Sequence, residues 1–277
     1  MYFDILFLGK LFPKEIEIEV KNKMKTGMQD AANALQWNII NGIDENNHGK
    51  IRIVSQLPVD SYPRGYTEPM IRRYTFQHSS KYKSNDVVVG HTNKRIIKQF
   101  ATYSPTKKEV NAWAKDDSGH QKVIILYTAS WNFLRIAKLI KKRYQNIQVC
   151  CIIADLPEYS CARTLYGIQK VYNRWIVKNS RKLYKFVDKY VLLTKQMAEK
   201  LQVKVPYIIM EGIAPNQNID LDQSILQEIG CCRYLLYTGT LNYEFGIGTL
   251  LKAFSLIPDE SVKLVICGAG AAAKEII

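Results

Sequence analysis

Short runs rich in β-branched and aromatic residues, each bounded by turn residues, alternate along this chain with segments of helical period. The runs lie at 2–8, 51–54, 86–89, 123–127, 149–153, 189–193, 207–210, 234–237 and 263–267. Several are apolar throughout, as strands buried on both faces must be. Helical periodicity falls at about 28–41, 131–144, 163–186, 196–201, 220–229 and 249–256. Strand and helix in alternation predict an α/β fold, a doubly wound parallel sheet with helices on both faces. There is no internal repeat and no low-complexity tract.

The segment 210–224 is polar, carries Gly and Pro, and divides two runs of this pattern. It predicts an N-terminal Rossmann-like domain over 1–212 and the beginning of a second over 213–277. The second stretch offers two strands and one or two helices. A two-stranded parallel sheet cannot bury both of its faces, so the second domain is expected to be incomplete and to expose apolar surface around 262–267.

Composition narrows the setting. A chain of 277 residues with 47% hydrophobic and 23% charged residues is globular and needs no covalent staple. Six cysteines, two adjacent pairs among them, show neither C-x-x-C nor Cys/His zinc spacing. A reducing compartment is the default and no metal site is expected. The opening MYFDILFLGKLFP has no basic stretch before its apolar run and no small-residue cleavage site, so it reads as a strand. No apolar run approaches the roughly 18 residues of a membrane span. The expectation is a soluble chain or one resting on a membrane surface.

In open α/β sheets, ligands bind beyond the carboxyl ends of the strands. Asp155, in ADLPEY directly after an apolar strand, is placed to act as a base or orient a hydroxyl, or simply to cap the next turn. Glu158 follows in the same loop. His91, in VVVGHTN, and Glu211 hold equivalent places; a polar loop histidine is the plain alternative for His91. His48, His78 and His120 lie in polar loops without partners at metal-ligand spacing and carry no assignment. Gly27 precedes a helix N-terminus, where bare amides suit a phosphate, although a turn glycine looks the same. Gly268, Gly270 and Ala273 match G-x-G-x-x-A, but the acidic residue that the dinucleotide fingerprint needs about 20 positions on is absent, leaving a tight strand-to-helix turn as the other reading.

Charge is also uneven. The chain carries 39 Lys+Arg against 25 Asp+Glu, a net +14. On a helical wheel Leu165, Ile168, Tyr172, Trp175, Ile176 and Leu183 fall to one side. Lys170, Arg174, Lys178, Arg181, Lys182 and Lys185 fall roughly opposite. The stripe is either a solvated face or a surface for an anionic partner, such as phospholipid headgroups or a polyprenyl phosphate. Nucleic acid is not indicated, because no binding motif accompanies it.

Several stretches, taken in order, resemble the glycosyltransferase family 4 enzymes of GT-B fold, in particular bacterial members that build surface or capsular polysaccharide. They are MQDAANALQWNIINGID at 28–44, LPVDSYPRGY at 57–66, IIADLPEY at 152–159, VDKYVLLTKQMAEKL at 187–201 with PYIIMEGI at 206–213, and YTGTLNYEFGIGTLLKAF at 237–254 with LVICGAG at 264–270. The resemblance implies two Rossmann-like domains, a nucleotide-sugar substrate, no cofactor or metal, and transfer to an acceptor hydroxyl with retention at the anomeric carbon. It implies Gly27 near the donor phosphates, Asp155 beside the reacting hydroxyl, and Gly239 and Thr240 in the loop facing the diphosphate, with Gly268 and Gly270 on the donor side. His91, Glu158 and Glu211 fall on the acceptor side. A cytoplasmic setting, peripheral on the inner face of the membrane, goes with it. Two departures stand out: where relatives place an Arg and a Lys to hold the diphosphate this chain has Thr240 and Phe245, and it ends before the glutamates that grip the donor. The alternative expectation is therefore a non-catalytic remnant or partner subunit that binds acceptor or membrane. An oxidoreductase built on the G-x-G-x-x-A turn is a distant third.

Overall fold

A computed structural model describes residues 2–25, 29–95, 97–117, 119–156, 167–214, 230, 233–270 and 272–276. The chain divides into two compact units, Met1–Pro215 and Asn216–Ile277. Gly27, Glu158 and the helix expected at 220–229 lie outside the described residues.

The larger unit is built on strands β1 (Phe3–Gly9), β2 (Ile51–Ser55), β4 (Tyr74–Phe76), β5 (Asp86–Val88), β7 (Gln121–Tyr127), β8 (Gln148–Ile153), β9 (Lys189–Leu192) and β10 (Tyr207–Ile209). These form one sheet in the order β10-β9-β8-β7-β1-β2-β5-β4. All pairings are parallel except β4 with β5. Strands β3 (Met70–Ile71) and β6 (His91–Thr92) form a separate antiparallel pair.

Each face of the sheet is apolar because the strands are. In β1, Leu6 and Leu8 point to one side, where Phe133, Leu134 and Ala137 of helix α5 (Trp131–Arg143) cover them. Ile5 and Phe7 point to the other, against Ile39 and Ile40 of helix α2 (Asp30–Asn46). Each such buried side chain contributes about 1.5–3 kcal/mol, and the alternation fixes which helix goes where. Helices α1 (Lys14–Lys23), α3 (Lys98–Ala101), α4 (Tyr103–Lys115), α6 (Ile168–Arg181) and α7 (Lys195–Leu201) complete the unit.

The run expected as one helix over 163–186 is broken. α6 stops at Arg181 and a 3-10 turn follows at Tyr184–Phe186. Trp175, expected in the core, is 48% exposed.

Polar groups buried in this unit are tied to backbone. The Asp86 carboxylate, fully buried, accepts from the Ile53 amide at 2.7 Å, the His78 amide at 2.8 Å and the Ser84 hydroxyl, and lies 2.7 Å from His78 Nδ1. The His78 side chain, which the sequence places in a polar loop, is thus buried and tied to the sheet through Asp86. Lys122, also buried, donates to the carbonyls of Trp113, Ala114 and Asp116, closing the end of α4 as a side-chain cap.

The smaller unit has parallel strands β11 (Tyr234–Thr238) and β12 (Lys263–Cys267), with helices α8 (Ile247–Phe254) and α9 (Ala273–Ile276). Leu241, Ile247 and Ala272 form its small core, while Tyr234, Leu235 and Leu236 of β11 are exposed.

Removing the Asp86 carboxylate strands the Ile53 and His78 amides in a dry interior. Asp86→Ala is expected to cost about 3–5 kcal/mol of stability, read as a lower midpoint in denaturant unfolding; an unchanged midpoint contradicts the account.

Candidate functional site

The sheet has one topological switch point. From β1 the chain proceeds to β2 on one side and, later, to β7 on the other. Open α/β sheets bind ligands beyond the carboxyl ends of the strands at such a point, and polar groups lie along this edge of the sheet.

On the β1–β2–β5 side the backbone is held first. Gln36, fully buried on α2, accepts from the Lys10 amide at 2.8 Å and donates to the Lys10 carbonyl at 2.8 Å, fixing the chain just past β1. Lys98, on α3, donates to the Val59 carbonyl. Burial, helped by the Lys10 charge and opposed by Asp60, pushes its ammonium down to about 8.

His91 is the best-defined group here. It lies in β6, only 5% exposed, instead of in an open loop. Nδ1 is 3.0 Å from the Val89 carbonyl, which can only accept, so Nδ1 carries the proton. Burial pushes the ring down to about 4, with a rise from the Val89 bond and a further fall from the Lys98 charge. At neutral pH the imidazole is uncharged, and Nε2, which has no partner, presents a bare lone pair. His91 lines an open cavity of about 550 Å³ together with Met70, Arg73, Thr92, Ser104 and Lys108. Asn93, buried beside it in sequence, donates to the Asp60 and Glu68 carbonyls and keeps Oδ1 unpartnered. Of these two unpartnered acceptors, the one on His91 belongs to a residue that lines the cavity, and a hydroxyl is the donor it lacks.

Across the switch point, Tyr127 ends β7 and Asp155 follows β8. Asp155 is exposed. Tyr127 is raised to about 12 by burial, and the charge of Asp155 adds to the rise. Four inter-strand steps separate β8, which Asp155 follows, from β5, which precedes the turn into His91 and β6, so β8 and β5 are about 19 Å apart. The structure does not bring Asp155 and His91 together at one atom. Glu211, exposed beyond β10, is farther along the same edge.

Sequence reading overlooked Ser130 and Asn132, at the start of α5. Asn132 donates to the Gln99 carbonyl and Thr102 hydroxyl, while its Oδ1 and the Ser130 hydroxyl are buried without partners. The available signal was their place right after the β7 strand, next to the switch.

In the smaller unit, Gly268 and Gly270 have a packing reason. A Cβ on Gly268 would stand 1.9 Å from the Gly239 carbonyl oxygen, and one on Gly270 2.3 Å from that of Leu241. The two loops are stitched by Gly239 N to Cys267 O at 3.0 Å and Leu241 N to Ala269 O at 2.9 Å. Close approach of backbone to backbone thus accounts for these glycines as a tight turn. Thr240 is exposed, and the stretch 239–246 holds no cation, only Glu244.

Among the described residues no cluster of His, Cys, Asp or Glu could hold a metal ion. Burial raises Cys150 to about 11 and Cys151 well above the ordinary thiol value, which leaves both unreactive near neutral pH.

A depressed histidine makes stability pH-dependent. Between its unfolded value near 6.5 and about 4 the unfolded chain binds the extra proton, so stability is full above the upper limit and falls with pH toward the lower. The His91 ring signal in NMR is expected to titrate near pH 4 with the Nδ1–H tautomer, and to vanish in His91→Asn; a midpoint near 6.5 contradicts the buried, neutral assignment.

No family model matches the chain, and no curated relative does. Solved structures do match in fold. The α,α-trehalose 6-phosphate synthase of Burkholderia multivorans superposes with a TM-score of 0.51 at 9% identity, over 99% of this chain and 65% of that one. The UDP-forming α,α-trehalose-phosphate synthase of Burkholderia vietnamiensis gives 0.54 at 9% identity, over 99% and 66%. A trehalose-6-phosphate synthase studied for glycosyl transfer with retention gives 0.53 at 10%, over 96% and 64%. The chain therefore spans about 65% of the length of these enzymes. With its mostly parallel eight-stranded sheet and small second sheet, it has a GT-B-like fold that matches part of the glycosyltransferase structures.

Proposed function

We propose that the chain is a glycosyltransferase of the family 4 type, moving a sugar from a nucleotide-sugar donor to an acceptor hydroxyl with retention. The bare Nε2 of His91 carries this reading: it is a buried acceptor at the ligand edge of a GT-B-like sheet, and a sugar hydroxyl is the donor it lacks. Retention agrees with what is stated of one trehalose-6-phosphate synthase of like fold.

In this reading Asp155 is the catalytic carboxylate, accepting or orienting the proton of the attacking hydroxyl, and His91 holds a hydroxyl farther along the acceptor. The roughly 19 Å between β8, before Asp155, and β5, before His91, favours an acceptor of several sugar units over a monosaccharide. A lipid-linked saccharide of surface polysaccharide synthesis has that extent. Glu158 and Glu211 would contact the same acceptor, and Gly27, Gly239 and Thr240 the donor. The chemistry needs neither cofactor nor metal. The enzyme would work in the cytoplasm, at the inner face of the membrane.

One observation favours a second reading. With no cation in 239–246, the developing charge on a leaving diphosphate is not met by that loop, which suits a subunit that binds acceptor without turning donor over.

The test is transfer by the purified chain from a panel of nucleotide sugars to oligosaccharide and lipid-linked acceptors, followed by mass spectrometry of product. Asp155→Asn is expected to lower turnover at least about a hundredfold with little change in donor affinity, since general acid-base groups contribute on that order. His91→Phe is expected to raise the acceptor KM while acceptor-independent donor hydrolysis persists. Calorimetry that finds acceptor binding but no nucleotide binding to folded protein would select the second reading; unchanged kinetics in both variants would remove these residues from the site.

A further inference from the structure

The cavity beside His91 has an uneven lining. One wall is the antiparallel pair β3–β6, in register Met70 with Thr92 and Ile71 with His91; the other is a face of α4, where Ser104 and Lys108 stand one turn apart. A Cβ on Gly90 would stand 2.9 Å from the Arg73 amide nitrogen, so the bare glycine lets the chain that carries Arg73 close against the turn into β6. Two cations, Arg73 and Lys108, line the cavity, and among the described residues no Asp or Glu does.

Arg73 is held in place from behind. Its Nε and Nη2 donate to Oε1 of Glu109 at 3.3 and 3.2 Å, while the other oxygen of Glu109 accepts from Arg52 at 2.6 Å. Both bonds of Arg73 end on one oxygen, and among the described residues its Nη1 has no partner. Lys108 is exposed and makes no hydrogen bond or ion pair among the described residues. Arg52, Arg73 and Lys108 thus bring three positive charges to this wall and Glu109 one negative. Beside them lie the Thr92 hydroxyl, which donates to Met70 Sδ at 3.4 Å and can still accept, the exposed Ser104 hydroxyl, and His91 with its unpartnered Nε2.

We propose that this cavity selects an acidic sugar, a hydroxyl-rich ring whose single carboxylate is taken by Nη1 of Arg73 and the Lys108 ammonium, with His91, Thr92 and Ser104 left for its hydroxyls. The proposal rests on the reading of this edge as the acceptor side, and adds that the acceptor carries a uronic acid unit. A neutral sugar brings hydroxyl protons that need acceptors, whereas the charged groups lining the cavity can only donate. A carboxylate meets a guanidinium and an ammonium through charge-assisted bonds. Phosphate is served less well. It draws on bare amides at a helix start, but Pro105 has no amide N–H, and the amides of Thr102 and Thr106 are bonded to the carbonyls of Lys98 and Thr102 at 3.0 and 3.3 Å. A free phosphate would also bring no hydroxyl-rich ring to the unpartnered nitrogen of His91.

NMR titration of the whole chain, with no nucleotide sugar present, compares methyl glucuronide, methyl glucoside and glucose 6-phosphate as probes. The glucuronide is expected to bind at least about tenfold more tightly than the glucoside, an advantage that shrinks at about 0.5 M salt because the cations stand in solvent. Lys108→Gln, at an exposed position without a protein partner, is expected to lose most of that preference while its affinity for the glucoside holds. Arg73→Lys keeps the charge but not the planar fork, and is expected to lose part of it. The amide spectrum of each variant confirms that it is folded. Equal binding of glucuronide and glucoside overturns the proposal, as does tighter binding of the phosphate, an unchanged preference in folded Lys108→Gln, or no binding of any probe. These outcomes are separate from those of the transfer assay: a chain that prefers the glucuronide but moves no sugar keeps the site and loses the proposed reaction, and one that glycosylates neutral acceptors without the preference does the reverse.

Discussion

Burial of β1 on both faces is the constraint from which the rest of the larger unit follows. Its Leu6 and Leu8 require cover on one side and Ile5 and Phe7 on the other. Parallel neighbours on both edges must then be reached by crossovers that supply that cover. α2 covers one face and α5 the other. Because the chain leaves β1 for β2 on one side and reaches β7 on the other, the switch point falls between β1 and β7, where open α/β sheets place their ligand edge, and the same topology closes the core. Gln36 shows the coupling at a single residue: it lies on the covering helix, and its amide fixes the backbone of Lys10 at that edge.

Much of this was legible in the sequence because the main strands are long and apolar. Each run from 2–8 to 263–267 that reads as a strand is one, within a residue or two at its ends. The short strands Met70–Ile71, Tyr74–Phe76 and His91–Thr92 escaped, since two or three residues show no period. α4 escaped because its start, TYSPTKK, carries a Pro and little apolar content; Val110, Trp113 and Ala114 bury only the later turns. The site was legible as a set of strand ends but not as chemistry. That His91 is buried, neutral and short of one donor depends on the Val89 carbonyl and on Lys98, and neither contact follows from spacing. The pairing of His78 with Asp86 is similarly tertiary, because it needs the Ile53 amide of a distant strand to hold the carboxylate.

Glycine gives the opposite lesson. Gly268 and Gly270 fit a nucleotide fingerprint by spacing, yet the carbonyls of Gly239 and Leu241 occupy the space where their side chains would be. Loop–loop packing therefore explains these residues with or without a phosphate nearby. The fingerprint's order in sequence cannot separate a backbone that approaches a ligand from a backbone that approaches another backbone.

Helix α3, only four residues long, faces a buried polar setting on one side and solvent on the other. Lys98 turns inward to the Val59 carbonyl and adds its charge to the setting of His91, while Phe100, two residues on, is half exposed against the Trp131 ring. Two residues along a helix span about 3 Å of its axis. Any tilt of so short a helix moves the Lys98 charge that bears on His91 together with the exposed ring of Phe100, so the buried imidazole and the surface answer to one element.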